Sequence, residues 1–460
     1  MSKSDYRRRR LRRFKRTLSR HLPTFIALVC IVLVSGGLIF SIYRFVLHPK
    51  ASSAGLPPAS GSIVQTAEAA SKSTAAGHTA EREASASQIP LDETGRLIAQ
   101  ADRIALGYDY DRATALLADS GLDTSDGRIP DAIARYEEAK AALVPVDVTQ
   151  TTHVFFNSLI MDTSLAFDGD ADAAGYNSVM TTREEFLKIL EALYARDYVL
   201  VRLHDIAAPA ADSEGNVSFA WGTILLPPGK KPLVMSQDDV CYYPYMDGDG
   251  FASRIVIGED GKPTCEMTLA DGTVSTGSYD LIPILEDFIQ EHPDFSYKGA
   301  PAVAQCLRDN GWELASHSWG HLQLGVSADS ETGFVISDDR FVADTDKWEA
   351  EVESLIGPTD ILIYPYGNDI SDWHSYGQDN ARFAYLQSKG FQYFCNVDAS
   401  TPYWMQKGST YLRMARRNLD GYRLYQDLVE TDPAKKRLTD LFDAADIFDT
   451  ARPTPVEWSY

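Results

Sequence analysis

Two histidines four residues apart, His317 and His321, follow the short apolar run Trp312-Glu313-Leu314-Ala315. If the segment after Ser316 turns helically, the two imidazoles share a face, with Cβ atoms about 5–6 Å apart, and can grip one divalent metal from the same side. Among nine histidines such a pair also arises as two polar residues on a turn, so the spacing alone does not decide. An earlier stretch shifts the balance. Lys231-Pro232-Leu233-Val234-Met235-Ser236-Gln237-Asp238-Asp239 reads as a buried strand ending in adjacent carboxylates. That placement is costly as structure and useful as chemistry, because one carboxylate can ligate a metal while the other, unligated, serves as a base.

Taken in order, these motifs resemble the polysaccharide deacetylase family (NodB-like, carbohydrate esterase family 4), over roughly residues 150–430. The resemblance implies that Asp238 is the general base and that Asp239, His317 and His321 are metal ligands. Its third motif is met by Ile363-Tyr364-Pro365-Tyr366-Gly367, where the Tyr366 N–H would help hold an oxyanion. It also implies an α/β fold, a distorted (β/α) barrel. The activity implied is hydrolysis of N-acetyl groups on amino sugars of chitin-like, peptidoglycan or exopolysaccharide chains. One Asp and two His suit Zn²⁺, with Co²⁺ or Ni²⁺ also compatible.

The chain departs from the family pattern at three places. Ile363 stands where the third motif normally has Arg. All nine histidines precede residue 400, so the late catalytic His is absent from its usual place. Circularly permuted branches carry that His near the start of the domain, and the matching strand, Phe155-Phe156-Asn157-Ser158, has Asn157 there. A carboxamide donates hydrogen bonds but passes on no proton at neutral pH, which leaves His153 or His204 as substitutes. Finally, the chain runs from Phe295-Ser296-Tyr297-Lys298-Gly299-Ala300 almost directly into a helical pattern, leaving out one expected barrel strand.

The elements that must position these residues begin near residue 148. The segment His153–Ile160 is a strand candidate. Thr182-Arg183-Glu184-Glu185 forms a capping box, and the helix it opens carries Phe186, Ile189, Leu190 and Leu193 on one face. Tyr198 to Leu203 follows as a strand, and strand–helix–strand order predicts parallel pairing. Residues 241–279 read as an elaborated loop. Helical patterns follow at Pro283–Ile289 and Cys306–Gly311, then strands at Asp360–Tyr364 and Phe391–Cys395, with Arg416 to Gly421 closing the pattern. The domain is expected over 148–430, with a tail at 431–460.

Ahead of it, residues 1–21 are strongly basic, and Leu22 to Tyr43 holds no charged residue. That pattern predicts a cytoplasmic tail and a transmembrane anchor over 22–43, placing the catalytic domain outside the cell membrane. Residues 44–90, rich in Ala and Ser, predict a flexible linker. Residues 91–147 predict a helical neck whose partner stays unassigned. The formal charge of −22 argues against nucleic-acid binding. Five scattered cysteines without a Cys-x-x-Cys pair read as free or buried thiols.

The expected function is therefore metal-dependent deacetylation of a cell-envelope or extracellular polysaccharide. One alternative is a metal- and glycan-binding module of the same fold, using Tyr242, Tyr243, Tyr245, Trp319 and Trp373 as sugar-stacking surfaces. The other is an envelope metallo-amidase or peptidase.

Overall fold

The computed structural model describes residues 92–125, 127–298, 307, 312–325, 335–371, 374–377, 379–398 and 400–459. The chain divides into two units, 1–85 and 86–460, and every described residue belongs to the second.

Seven strands form the main sheet: β1 (Thr152–Phe156), β2 (Tyr198–Leu200), β3 (Lys231–Gln237), β4 (Ile361–Ile363), β5 (Tyr393–Val397), β6 (Met405–Lys407) and β7 (Leu412–Asn418). Their order is β4-β5-β7-β1-β3-β2, all parallel, with β6 antiparallel on β7. Parallel sheets are covered on both faces, so their strands are apolar on both sides. One face carries Val199, Val234, Ile361, Ile363, Tyr393, Cys395, Leu412 and Met414. On the other, Val154, Phe156 and Leu233 pack under the helix Arg183–Ala195, and Leu362 and Phe394 pack with Phe341, Trp348, Phe383 and Leu386. The expected capping box is present, with Thr182 and Glu185 satisfying each other's backbone N–H groups.

The expectation of a distorted barrel is corrected: the sheet is open. Its edges are extended by single bridges, Leu200 to Ser296 on one side and Ser316 to Leu362 on the other. Among the described residues no pairing joins Ser296 to Ser316. Two residues past Ser296, Lys298 takes a left-handed φ of 52° and donates its N–H to the Gly107 carbonyl, so the extended backbone is interrupted there.

The membrane anchor is a second correction. No helix among the described residues is long and apolar enough to cross a membrane. The span expected at 22–43 and the linker at 44–90 lie outside the described residues, so neither a single-pass anchor nor an extracellular placement is supported. The cysteines Cys30 and Cys306 and the helix expected around Asn310-Gly311 lie outside them too, while Cys241, Cys265 and Cys395 are free thiols.

A third correction concerns residues 241–279. They contain a three-stranded antiparallel sheet of Ala252–Ile257, Pro263–Thr268 and Val274–Gly277. Its turns use Gly261 and Gly272, both at positive φ, where Asp-Gly is a hairpin signal.

The neck consists of three helices, Glu93–Leu106, Tyr110–Ala118 and Arg128–Ala141, sharing a small core of alanines with Leu117, Ile129 and Tyr136. Tyr108 ties it to the sheet domain through a 2.9 Å hydrogen bond to the Asp294 carbonyl. The segment after residue 430 is part of the main core, to which it contributes Leu438, Leu441, Phe442, Ile447 and Val456. Its Arg452 reaches Glu185 with both side chains fully buried, at 2.6 Å.

Removing one member of a buried pair leaves a charge without a partner, at a cost of about 3–5 kcal/mol. Arg452→Met is expected to lose roughly that much stability in denaturant unfolding, and adding Glu185→Gln to recover part of it. A loss below about 1 kcal/mol for the single variant would show that the clamp contributes little.

Candidate metal centre

Side chains two apart on a strand share a face, and this parity assembles the site. Val234, Ser236 and Asp238 run up one face of β3, and Met414 and Arg416 run up the same face of β7. Arg416 therefore meets Asp238 across β1, donating two hydrogen bonds of 2.5 and 2.9 Å to its carboxylate. Arg416 also lies 4.1 Å over the Phe155 ring and 3.4 Å from Ser236 Oγ. Burial opposes ionisation of Asp238, but the Arg416 guanidinium outweighs it and holds the carboxyl below the usual carboxylate range. Arg413 and Arg417, of opposite parity, point to the other face, where they pair with Asp369 and Asp440.

Asp238 is still strand: its N–H donates to the Phe156 carbonyl at 2.8 Å. Asp239 is not. Its φ of 57° breaks the strand's alternation and sends the second carboxylate to a different partner, the Tyr243 hydroxyl at 3.1 Å. Of eight non-glycine residues at positive φ among those described, five lie here: Asp239, Tyr242, Ser318, His321 and Tyr366. Such conformations cost of order 1 kcal/mol or more each and collect where function requires them.

The two histidines are not on a helix; the stretch 316–325 is irregular. Ser316 is anchored to β4 by bonds with Ile361 and Ile363. The Asp344 carboxylate then gathers the Trp319 and Gly320 N–H groups at 3.0 and 2.7 Å. This turn brings the imidazoles to 5.0 Å between ring centres. His317 Nδ1 lies 2.9 Å from the Ile363 carbonyl, and a proton on Nδ1 leaves the Nε2 lone pair free for a metal. Burial lowers the pKa of His321 although Asp239 opposes it, which favours the neutral ring that metal ligation requires. One donor atom from each of Asp239, His317 and His321 can be chosen so that all lie within 4.8 Å of one another. Two imidazoles and a carboxylate at that spacing can hold a divalent ion, and the set itself does not identify which. Asp238 Oδ2 stands 3.8 Å from His317 Nε2, beside the triad and bound to Arg416.

Tyr366 sits in the turn Pro365–Gly367 with φ 58°, its ring 4.5 Å from that of His321. Gly367 is required there: its φ is 65°, and a Cβ would come within 2.5 Å of Val397.

Asn157 follows β1 directly, one residue past the Phe156 carbonyl that binds the Asp238 N–H. Its carboxamide donates to the Val179 carbonyl at 2.9 Å. His153 lies deeper on the face of Asp238 and is buried: Nε2 is 3.0 Å from Ser236 Oγ, while buried Nδ1 has no protein partner. Burial, reinforced by Arg416, pushes its pKa well below the ordinary value, so it stays neutral. His204 is elsewhere. It lies between Glu313 and Asp360, at the N-terminal end of β4, whereas the triad is at the C-terminal end.

A cavity of about 660 Å³ opens from the triad, lined by Asp238, Asp239, His317 and His321 and by His153. Around it Tyr243 stacks on Tyr245 at 5.5 Å, and Trp319 lies exposed under Lys347. Tyr242 instead faces Cys265, and Trp373 lies outside the described residues. Sequence reasoning passed over Arg416, Asp344 and the Tyr243–Asp239 bond. The signal for the first was available, since Arg413, Arg416 and Arg417 stand in a buried strand, where a charge must be paired.

No protein family, curated protein or solved structure matches the chain.

Burial lowers the pKa of His204, but hydrogen bonds to Asp360 and Glu313 win and raise it to about 10. A raised folded pKa stabilises fully below the unfolded value near 6.5, and the contribution is lost as pH rises through about 10. His204→Gln is therefore expected to destabilise most at about pH 6, by roughly 1 kcal/mol given the solvent screening of a partly exposed ring. The gap to wild type should close above about pH 10. A pH-independent gap in unfolding midpoints would show that His204 acts by packing.

Proposed function

We propose that the chain is a metal-dependent hydrolase that removes acetyl groups from N-acetylated amino sugars of a polysaccharide. The observation that carries this reading is the Asp239, His317 and His321 triad beside a separate buried carboxylate, Asp238, which Arg416 keeps ionised. A purely structural metal site closes around its ion with four protein ligands, whereas hydrolytic sites keep a position open and a base at hand. A divalent metal in the triad would supply Lewis acidity, polarising the amide carbonyl and making water easier to deprotonate.

The chain's own residues do the rest. Arg416 fixes the Asp238 carboxylate toward the triad, where it takes a proton from the attacking water. The low pKa of Asp238 makes it a modest base, but once protonated it is a ready donor to the leaving amine. That second role matters because Asn157 has no proton to pass on and His153 is held neutral. The Tyr366 ring packs against His321, and the family resemblance makes the Tyr366 N–H the oxyanion donor. The stacked Tyr243 and Tyr245 and exposed Trp319 offer faces for sugar rings. The bonding of Asn157 to Val179, in place of an imidazole facing the site, favours the second reading: a metal- and glycan-binding module with weak turnover.

Metal analysis beside an assay of acetate released from chitooligosaccharides tests both. His317→Ala and His321→Ala are expected to abolish stoichiometric metal, and Asp239→Ala to weaken it strongly. Asp238→Asn should keep the metal and lower turnover by about 10²–10⁴. Loss of metal in Asp238→Asn with retention in Asp239→Ala would exchange the two roles. Full metal occupancy without acetate release from any acetylated sugar would leave the binding module.

A further inference from the structure

An acetyl group needs very little room. A methyl or methylene takes up about as much space as a water molecule does in the liquid, roughly 30 Å³. The cavity of about 660 Å³ that begins at the triad is many times what an acetyl group fills. Its walls are as informative as its size. Beyond Asp238 and His317 it is lined by Val201 and Val234 from the face of the open sheet. It is lined as well by Ile282, Leu285 and Ile289, on one side of the helix Leu281–Glu291, together with Ile255. Positions 282, 285 and 289 are spaced three and four apart, one continuous stripe of a helix; Ile282 and Leu285 also pack in the main core, and the half-buried Ile289 is the most open to the cavity.

Polar groups occur at the far end as well, but they are engaged. Arg202 is paired with Asp205 at 2.9 Å. Glu313 accepts the Leu203 N–H at 2.6 Å and binds His204. Neither calls for a polar group on a ligand, and the lining atoms without a protein partner, His153 Nδ1 and Gln237 Oε1, belong to the strands that end at Asp238, the side on which the ligand's carbonyl would sit. A ligand filling this space therefore has a carbonyl at the triad and a hydrocarbon tail between the sheet and the helix.

We infer that the acyl group this site removes is a medium- or long-chain fatty acyl group on an amine, with the acyl tail in the cavity and the amine at the outer, aromatic side. The inference rests on the hydrolase reading and changes its substrate from N-acetyl to N-fatty-acyl. The reaction balances without a further reagent: water adds across the amide, the carbonyl carbon gains an oxygen as the carbon–nitrogen bond breaks, and the products are a fatty carboxylate and an ammonium.

The test uses the full chain loaded with Zn²⁺ and N-acylglucosamines of two, four, eight and twelve carbons. Binding of decan-2-one, a carbonyl with an eight-carbon tail and no bond to hydrolyse, is measured in parallel by calorimetry. The expected result is kcat/KM rising from acetyl to octanoyl by at least tenfold, against a ceiling of about fourfold per fully buried methylene, with saturable binding of the ketone. Ile289→Trp, which fills the cavity from a half-buried position, should lower the octanoyl-to-acetyl ratio at least tenfold and weaken the ketone. Ile255→Trp provides the same reading from another wall if the first variant does not fold. Ketone binding with no hydrolysis at any length would sustain the acyl cavity and overturn the hydrolase reading. Hydrolysis that is best for acetyl and declines with length, with no ketone binding, would overturn the inference and leave the hydrolase. Neither binding nor hydrolysis would overturn both.

Discussion

The bidentate contact between Arg416 and Asp238 is the constraint around which the site is arranged. Both side chains are almost fully buried, and neither ion could remain there alone, since a buried charge without a partner costs several kcal/mol. The pair demands that β3 and β7 flank β1 in a fixed register, because a slip of one residue would turn either side chain to the opposite face. It also separates the roles of adjacent carboxylates. Asp238 is committed to a cation, and only Asp239, freed by its left-handed turn, remains for a metal.

A second layer holds the partners of that pair. Asp344 gathers the backbone before His321, the Ile363 carbonyl orients His317, and Gly367 lets the Tyr366 turn approach β5 within a distance that no side chain would allow. None of these groups would touch a substrate. They set the separation of the imidazoles, and metal affinity falls steeply when such supports are removed. The left-handed backbone at Asp239, Tyr242, Ser318, His321 and Tyr366 lies in the loops that these contacts hold.

Much of this was readable from residue types and order. The parallel α/β class and the Thr182–Glu185 capping box follow from periodicity and motif spacing, while the residues meeting at the triad were named together through the family resemblance of the ordered motifs. Other features did not follow, for physical reasons. The left-handed backbone of Lys298, which interrupts the extended chain after Ser296, is not announced by anything in its side chain. The hairpins in 252–277 were hidden by polar, half-exposed strands whose alternation is weak, although the Asp-Gly turns were visible. The His317 and His321 geometry comes from a loop braced by Asp344, some two dozen residues away, where a helical spacing rule has no purchase. Arg416 stood in plain view, but pairing it with Asp238 required the strand order β7-β1-β3, which only tertiary structure supplies.

The strand order has a consequence for how the protein is made. Asp238 meets its guanidinium partner only after 178 further residues have been added, and Glu185 meets Arg452 only after 267. β1 and β3 pair with each other early, but one side of β1 stays unpaired until β7 arrives. On the ribosome the growing chain therefore carries an uncovered sheet edge and two uncompensated carboxylates for most of its synthesis. Non-local parallel pairing of this kind folds slowly and exposes edges to aggregation. Assembly is consequently a late, collective event, and a truncated translation product lacking β7 would have neither a closed core nor an ionised base.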